Sequence, residues 1–132
     1  MTQLLLIDPN DLHAHEAVDE AQVQRVLNMM KESGEFYPPL LVDLKSKVVL
    51  DGHHRLWASK ALGCRRIPCF CVDYLNDDTI ELQSWRKDVH ITKQQVIDMG
   101  LSGNMYPIKT TRHIYQIADS VEPIALDELT RA

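Results

Sequence analysis

Residues 48 to 63 read VVLDGHHRLWASKALG: a β-prone apolar run, five polar residues, then apolar positions at helical spacing closed by a glycine. No other stretch constrains the fold so tightly, because Asp51-Gly52-His53-His54-Arg55 falls where a strand hands over to a helix, which the spacing predicts to begin near Leu56. Such a junction exposes backbone N–H groups that no earlier turn satisfies, and the helix dipole adds partial positive charge, so it suits anions. Gly52 lets a ligand approach the backbone, His53 and His54 can donate hydrogen bonds, and Arg55 can grip two phosphate oxygens at once. Asp51 would repel phosphate unless a cation such as Mg2+ bridged them, so the combination points to a metal-nucleotide.

The flanking sequence supplies an α+β frame for that junction. Gln3 to Ile7 reads as a strand closed by the turn cluster Asp8-Pro9-Asn10-Asp11. From about Asp19 to Glu32, Val23, Val26, Leu27 and Met30 recur at helical spacing, with Gly34 as the stop. Leu40 to Leu44 and Val48 to Leu50 form a hairpin around Lys45-Ser46-Lys47, Ile67 to Val72 is another strand, and Thr79 to Trp85 reads as a strand or short helix. Thr92-Lys93-Gln94-Gln95 has the form of a capping box and opens a helix expected to stop at Gly100. Neither repeats nor low-complexity tracts interrupt the chain, and residues 1–132 are expected to form one domain.

Charge narrows the partners. With 19 acidic against 14 basic residues and a net charge of -5, the chain lacks the positive field that nucleic acid or anionic membrane rewards. MTQLLLIDPND has only a short apolar run without a basic region ahead of it, so a cytoplasmic location is expected. Cys64, Cys69 and Cys71 match neither a zinc knuckle nor a C-x-x-C redox pair and read as reduced thiols, two of them in a strand.

Two further segments carry chemistry-bearing side chains. Glu16, in His13-Ala14-His15-Glu16, reads most simply as a loop acid or a first-turn glutamate; His13, His15 and Glu16 resemble metal ligands only loosely. Lys109-Thr110-Thr111-Arg112-His113 holds two hydroxyls, three basic side chains and no acid in an expected loop, a set able to donate to phosphate or carboxylate oxygens. Trp85 alone is more readily a core residue than a ligand stacker.

Taken together, these pieces resemble the ParB/sulfiredoxin-like superfamily, in which a strand feeds a phosphate-holding loop at the amino end of a helix. The likeness runs from Leu40-Leu41-Val42-Asp43 through Asp51 to Arg55 to Ile67-Pro68. Within that superfamily the chain is most similar to the free L-serine kinases, on three motifs in order: His15-Glu16, Asp51-Gly52-His53-His54-Arg55, and Lys109-Thr110-Thr111-Arg112-His113. The resemblance implies a small mixed sheet with flanking helices, and phosphoryl transfer from ATP or ADP, with Mg2+, to the hydroxyl of free L-serine. It also implies that Glu16 accepts the hydroxyl proton, that Asp51, Gly52, His53, His54 and Arg55 hold the nucleotide phosphates, and that Asp51 holds the metal. Lys109, Thr110, Thr111, Arg112 and His113 would hold serine or phosphate, with Trp85 as a wall of the serine pocket. The chain is shorter than those kinases, which leaves the choice of nucleotide and a homodimer open.

Two alternatives remain on the same scaffold. A ParB-like nucleotide- and DNA-binding partition or regulatory protein would carry a basic helix-turn-helix, for which this acidic chain shows no pattern. A sulfiredoxin-like reductase needs a cysteine in the phosphate loop, and here the nearest thiol, Cys64, lies beyond the helix.

Overall fold

A computed structural model of the chain describes residues 3–116 and 121–130. The strands are β1 (Gln3–Ile7), β2 (Glu35–Phe36), β3 (Leu40–Asp43), β4 (Val49–Asp51), β5 (Ile67–Val72), β6 (Glu81–Ser84), β7 (Thr111–Ile114) and β8 (Ile124–Ala125). The helices are α1 (Glu20–Ser33), α2 (His53–Ala61), α3 (Lys93–Ser102) and α4 (Leu126–Thr130). The fold is α+β around a four-stranded mixed sheet of order β1-β5-β3-β4, accompanied by the small ribbons β2-β8 and β6-β7. In the sheet, β5 runs antiparallel to β1 and parallel to β3, while β3 and β4 form the expected antiparallel hairpin.

Side chains alternate across a pleated strand, and here the alternation sorts them into two cores. Leu40, Val42, Val49, Ile67, Cys69 and Cys71 pack on one face with Met30 of α1 and with Leu56 and Ala58 of α2. Leu41, Val48, Leu50 and Val72 pack on the other with Tyr74, Ile80, Val96 and Ile97, the last two from α3. The sheet is thus covered on both faces, which is why β3 and β5 read as continuous apolar runs. Cys69 and Cys71 are fully buried in β5, and burial pushes all three thiols up, away from the reactive thiolate.

α1 starts where its caps dictate: the Asp19 carboxylate accepts from the Ala21 N–H, and Gly34 closes the helix in the left-handed region at φ 69°. α2 corrects the sequence expectation, for its first turn is His53-His54-Arg55 and not the apolar run that follows. α3 has the capping box expected at Thr92 and Gln95, but it passes through Gly100 and ends at Gly103. Gly100 is buried with its Cα against Val48, where a Cβ would lie 2.7 Å from both valine methyls, so its glycine serves packing and not termination.

The segment expected as a loop at Lys109–His113 is in part a strand. Thr111–Ile114 forms β7 and pairs antiparallel with β6, bringing Thr111 opposite Ser84 and Arg112 opposite Gln83, which also resolves Thr79–Trp85 in favour of a strand. Trp85 is not a core residue: it is 56% exposed, with the Arg112 guanidinium 4.7 Å from its ring centre. Among the described residues no helix is long and apolar enough to cross a membrane.

Candidate active site

Gly52 caps α2 at φ 100°, a left-handed conformation open to glycine, and no side chain caps the helix. The first helical bond runs from Leu56 N–H to Gly52 O, so the amides of His53, His54 and Arg55 precede any intrahelical partner. A Cβ at Gly52 would sit 2.7 Å from Arg55 Nη2 and 2.5 Å from Leu40 Cδ2, so the guanidinium folds directly over the bare glycine. Arg55 Nε is buried and has no partner among the described residues, although a buried guanidinium donor ordinarily has one.

Two backbone amides set the histidine rings. His15 N–H donates to His53 Nε2 at 3.2 Å, and Asp19 N–H donates to His54 Nε2 at 3.2 Å. Because those nitrogens accept, neither carries a proton, and the neutral rings hold theirs on Nδ1. Burial keeps His53 well below the ordinary histidine range, with the neighbouring His15, His113 and His54 acting in the same direction, and burial lowers His54 too. The junction therefore offers neutral N–H donors without adding fixed charge beyond Arg55.

Glu16 reaches this junction from a segment stitched down on both sides. Tyr106 N–H donates to His15 O at 2.7 Å and Ala17 N–H donates to Tyr106 O at 2.8 Å, while His13 bonds in both directions with Lys47 and Val49. The start of α1 lies at Asp19 and Glu20, so Glu16 is not a first-turn glutamate. Its Oε1 accepts from Thr110 N–H at 3.1 Å, Thr111 N–H at 2.7 Å and Thr111 Oγ1 at 2.9 Å. Every hydrogen bond to this carboxylate from the described residues falls on Oε1, so Oε2 is left for a ligand.

Glu16, Asp51, Gly52, His53, His54, Arg55 and Thr111 all line one cavity of about 640 Å³, a size that suits a nucleotide-scale ligand. Its far wall is largely apolar, from Val26, Met29 and Met30 of α1 with Tyr37, Pro38 and Pro123, and Gln22, Ser33 and Glu35 add polar groups. Seven of the residues singled out from sequence thus meet in space. The remaining five do not line it: Lys109 and Arg112 are exposed, Trp85 stacks with Arg112, Thr110 is buried with its hydroxyl on Pro107 O, and His113 lies behind the site.

Behind the cavity stands a hydrogen-bonded set, His15, His113 and Tyr115, of which Tyr115 alone carried no expectation from the sequence. His15 is fully buried; its Nδ1 donates to Val49 O at 2.7 Å, its Nε2 lies 2.8 Å from Thr111 Oγ1, and burial lowers its pKa to about 4. His113 Nε2 pairs with Tyr74 OH at 2.8 Å, and burial lowers its pKa to about 3. Tyr115 donates its hydroxyl to Asp51 Oδ2 at 2.6 Å, burial holding the phenol protonated. The available signal was the alternation Thr111, His113, Tyr115, which puts three hydrogen-bonding side chains on one face of a strand.

As a cation site the cavity has a limited donor set. Among the described residues no three His, Cys, Asp or Glu side chains converge to hold a metal, and both ring nitrogens of His15 face protein atoms, Val49 O and Thr111 Oγ1. Asp51 keeps one oxygen beyond its bond to Tyr115, which fits a hard cation that brings phosphate and water ligands of its own, as Mg2+ does, and not a closed protein-only site.

The structure thus combines an α+β sheet, an edge strand that feeds a helix start without a side-chain cap, and a carboxylate across one cavity from it. The ParB N-terminal domain family matches residues 2–85, and the chain belongs to that family. A ParB-like protein from Sulfolobus acidocaldarius is 35% identical over 85 residues, 64% of this chain and 42% of that protein. An ATP-dependent L-serine kinase from Desulfurococcus mucosus is 32% identical over 85 residues, 61% of this chain and 33% of the kinase. The matched region is thus less than half the length of these curated relatives. The fold superposes on free serine kinase in complex with AMP with a TM-score of 0.82 at 16% identity, covering 96% of this chain and 93% of that one.

Proposed function

We propose that the chain is a small-molecule kinase that transfers a phosphoryl group from ATP or ADP to the hydroxyl of free L-serine, giving O-phosphoserine. The observation that carries this reading is the pairing, in one cavity, of an anion-receiving helix start with a glutamate held by one oxygen only. Serine as acceptor rests on the likeness to the named serine kinases.

In this reading the nucleotide phosphates lie on the amides of His53, His54 and Arg55, with the two histidine Nδ1–H groups and the Arg55 guanidinium as side-chain donors. Gly52 leaves the space they need. Asp51 would hold Mg2+ against the phosphates, and that ion would supply charge neutralisation on the transferred group. Val26, Met29, Met30 and Tyr37 give the nucleoside an apolar wall. Glu16 Oε2 accepts the proton of the serine hydroxyl, a poor nucleophile at neutral pH, as its oxygen attacks phosphorus. On the likeness to the serine kinases, Lys109, Thr110, Arg112, His113 and Trp85 would help to hold serine or phosphate, although none of these five lines the cavity itself.

The test is to incubate the protein with Mg2+, L-serine and either ATP or ADP, and to look for O-phosphoserine with ADP or AMP as co-product. Formation that disappears in Glu16→Ala, while nucleotide affinity stays within a few-fold, supports the assignment. Absence of product with both nucleotides overturns it. Nucleotide-dependent DNA binding, favoured by the likeness to a ParB-like protein, is the second reading, and a salt-sensitive gel shift would select it.

A further inference from the structure

The hydrogen bonds around Thr111 contain one proton too few. Thr111 Oγ1 lies 2.9 Å from Glu16 Oε1 and 2.8 Å from His15 Nε2, and both are acceptors. His15 must hold its proton on Nδ1, because the atom facing it at 2.7 Å is the Val49 carbonyl oxygen, which can only accept. Burial keeps the ring neutral, so Nε2 presents a lone pair. A hydroxyl has a single proton, and it can satisfy Glu16 or His15 but not both.

We propose that the Thr111 hydroxyl is shared between two positions, on Glu16 when that carboxylate is ionised and on His15 when Glu16 is protonated, and that His15 thereby acts as a positioning residue that favours proton uptake by Glu16. The inference rests on the reading of Glu16 as the proton acceptor. A bond to an ionised oxygen is the stronger one, so the hydroxyl sits on Oε1 in the resting site and leaves His15 Nε2 without a donor. During transfer the serine oxygen forms its bond to phosphorus, the bond to the leaving nucleotide oxygen breaks with its electron pair on that oxygen, and the hydroxyl proton passes to Glu16 Oε2. Glu16 Oε1 is then a weaker acceptor, and the Thr111 O–H turns to the waiting lone pair on His15. No proton leaves Thr111; only its direction changes.

The surroundings support a neutral His15 throughout. Its ring meets His53 of α2 edge-on at 4.6 Å, His113 of β7 at 6.1 Å and Tyr106 at 6.3 Å, with Asp51 of β4 the acid that acts on it. His53 and His113 are themselves kept neutral by burial, and His54 is the titratable neighbour of Glu16 from α2. With its hydroxyl engaged twice inside the protein, Thr111 has no O–H to offer serine, which assigns it to the glutamate and not to substrate.

The experiment combines kinetics with 15N NMR of the histidine rings. Thr111→Val is expected to lower kcat about tenfold or more with KM for serine changed less than about twofold, and Thr111→Ser, which keeps the hydroxyl, is expected to restore most of the loss. Independently of turnover, the His15 Nε2 resonance should show an unprotonated, weakly bonded nitrogen in the wild type. It should move in the direction of a stronger accepted hydrogen bond in Glu16→Gln, which mimics the protonated acid, and this move should vanish in Glu16→Gln/Thr111→Val. A His15 resonance that is the same in all three proteins, or a Thr111→Val variant that raises KM while retaining kcat, overturns the proposal. If the wild type forms no phosphoserine the kinase reading fails, and the NMR comparison still decides whether the hydroxyl is shared.

Discussion

Tyr115 and Asp51 are joined through a 2.6 Å hydrogen bond from the phenol to Oδ2, so a residue just past β7 fixes the carboxylate at the end of β4. The same strand fixes Glu16 through Thr111, four residues earlier. Glu16 and Asp51 are thus held by one oxygen each from one side, and each presents the other oxygen to a ligand. Partners of this kind orient carboxylates for cations, and their loss commonly weakens binding 10- to 100-fold. Tyr115→Phe should therefore weaken nucleotide binding about tenfold when Mg2+ is present and little when it is absent, as measured by calorimetry. An equal loss in both conditions would remove Asp51 from the cation.

Gly52→Ala should be severe for two separate reasons. The added Cβ meets Leu40 Cδ2 at 2.5 Å and Arg55 Nη2 at 2.7 Å, and φ 100° is strained for any L side chain. Strain of that kind costs about 1–3 kcal/mol. Urea denaturation should show a loss in that range, together with loss of nucleotide binding as Arg55 is displaced. Wild-type affinity in a folded Gly52→Ala protein would mean that the guanidinium does not touch the nucleotide.

The buried histidines make stability fall on acidification. Burial lowers His15 to about 4 and His113 to about 3, below the ordinary histidine value of 6.5. Between those values and 6.5 the unfolded chain binds more protons than the folded one, so stability is fully present above about pH 6.5 and declines as pH falls through that window. Each histidine contributes a slope approaching about 1.4 kcal/mol per pH unit. The urea midpoint at pH 5 should lie clearly below that at pH 7; an unchanged or higher midpoint would show that the rings are solvated and charged.

Sequence legibility followed whether the deciding interaction was local. β1 and β5 carry their β-branched and apolar patterns within themselves, and α1 carries its caps at Asp19 and Gly34, so their bounds were readable to within a residue or so. The start of α2 is hidden in the sequence because His53, His54 and Arg55 line the cavity, and their polarity masks the helical pattern. β7 reads as a loop in sequence because its strand character depends on pairing with β6, about 30 residues earlier. The junction residues announced themselves by composition, whereas the role of Thr111 depends on Glu16 and His15, 95 and 96 residues away, which no local pattern encodes.

Gly100 gives the sharpest test of packing against propensity. By propensity alone alanine in a helix interior is better than glycine by about 1 kcal/mol. Here a Cβ would lie 2.7 Å from both methyls of Val48, which is fully buried between α3 and the sheet. Overpacking of this kind costs about 1–3 kcal/mol, so Gly100→Ala should destabilise in spite of its propensity. Val48→Ala removes the two methyls and should destabilise by about 2 kcal/mol through the space it leaves. Because the new methyl at residue 100 would then enter that space, the double variant should be more stable than the sum of the single changes by about 1 kcal/mol or more. Additivity in urea denaturation would mean that α3 does not rest on Val48 through Gly100, and the close approach of helix to sheet would need another cause.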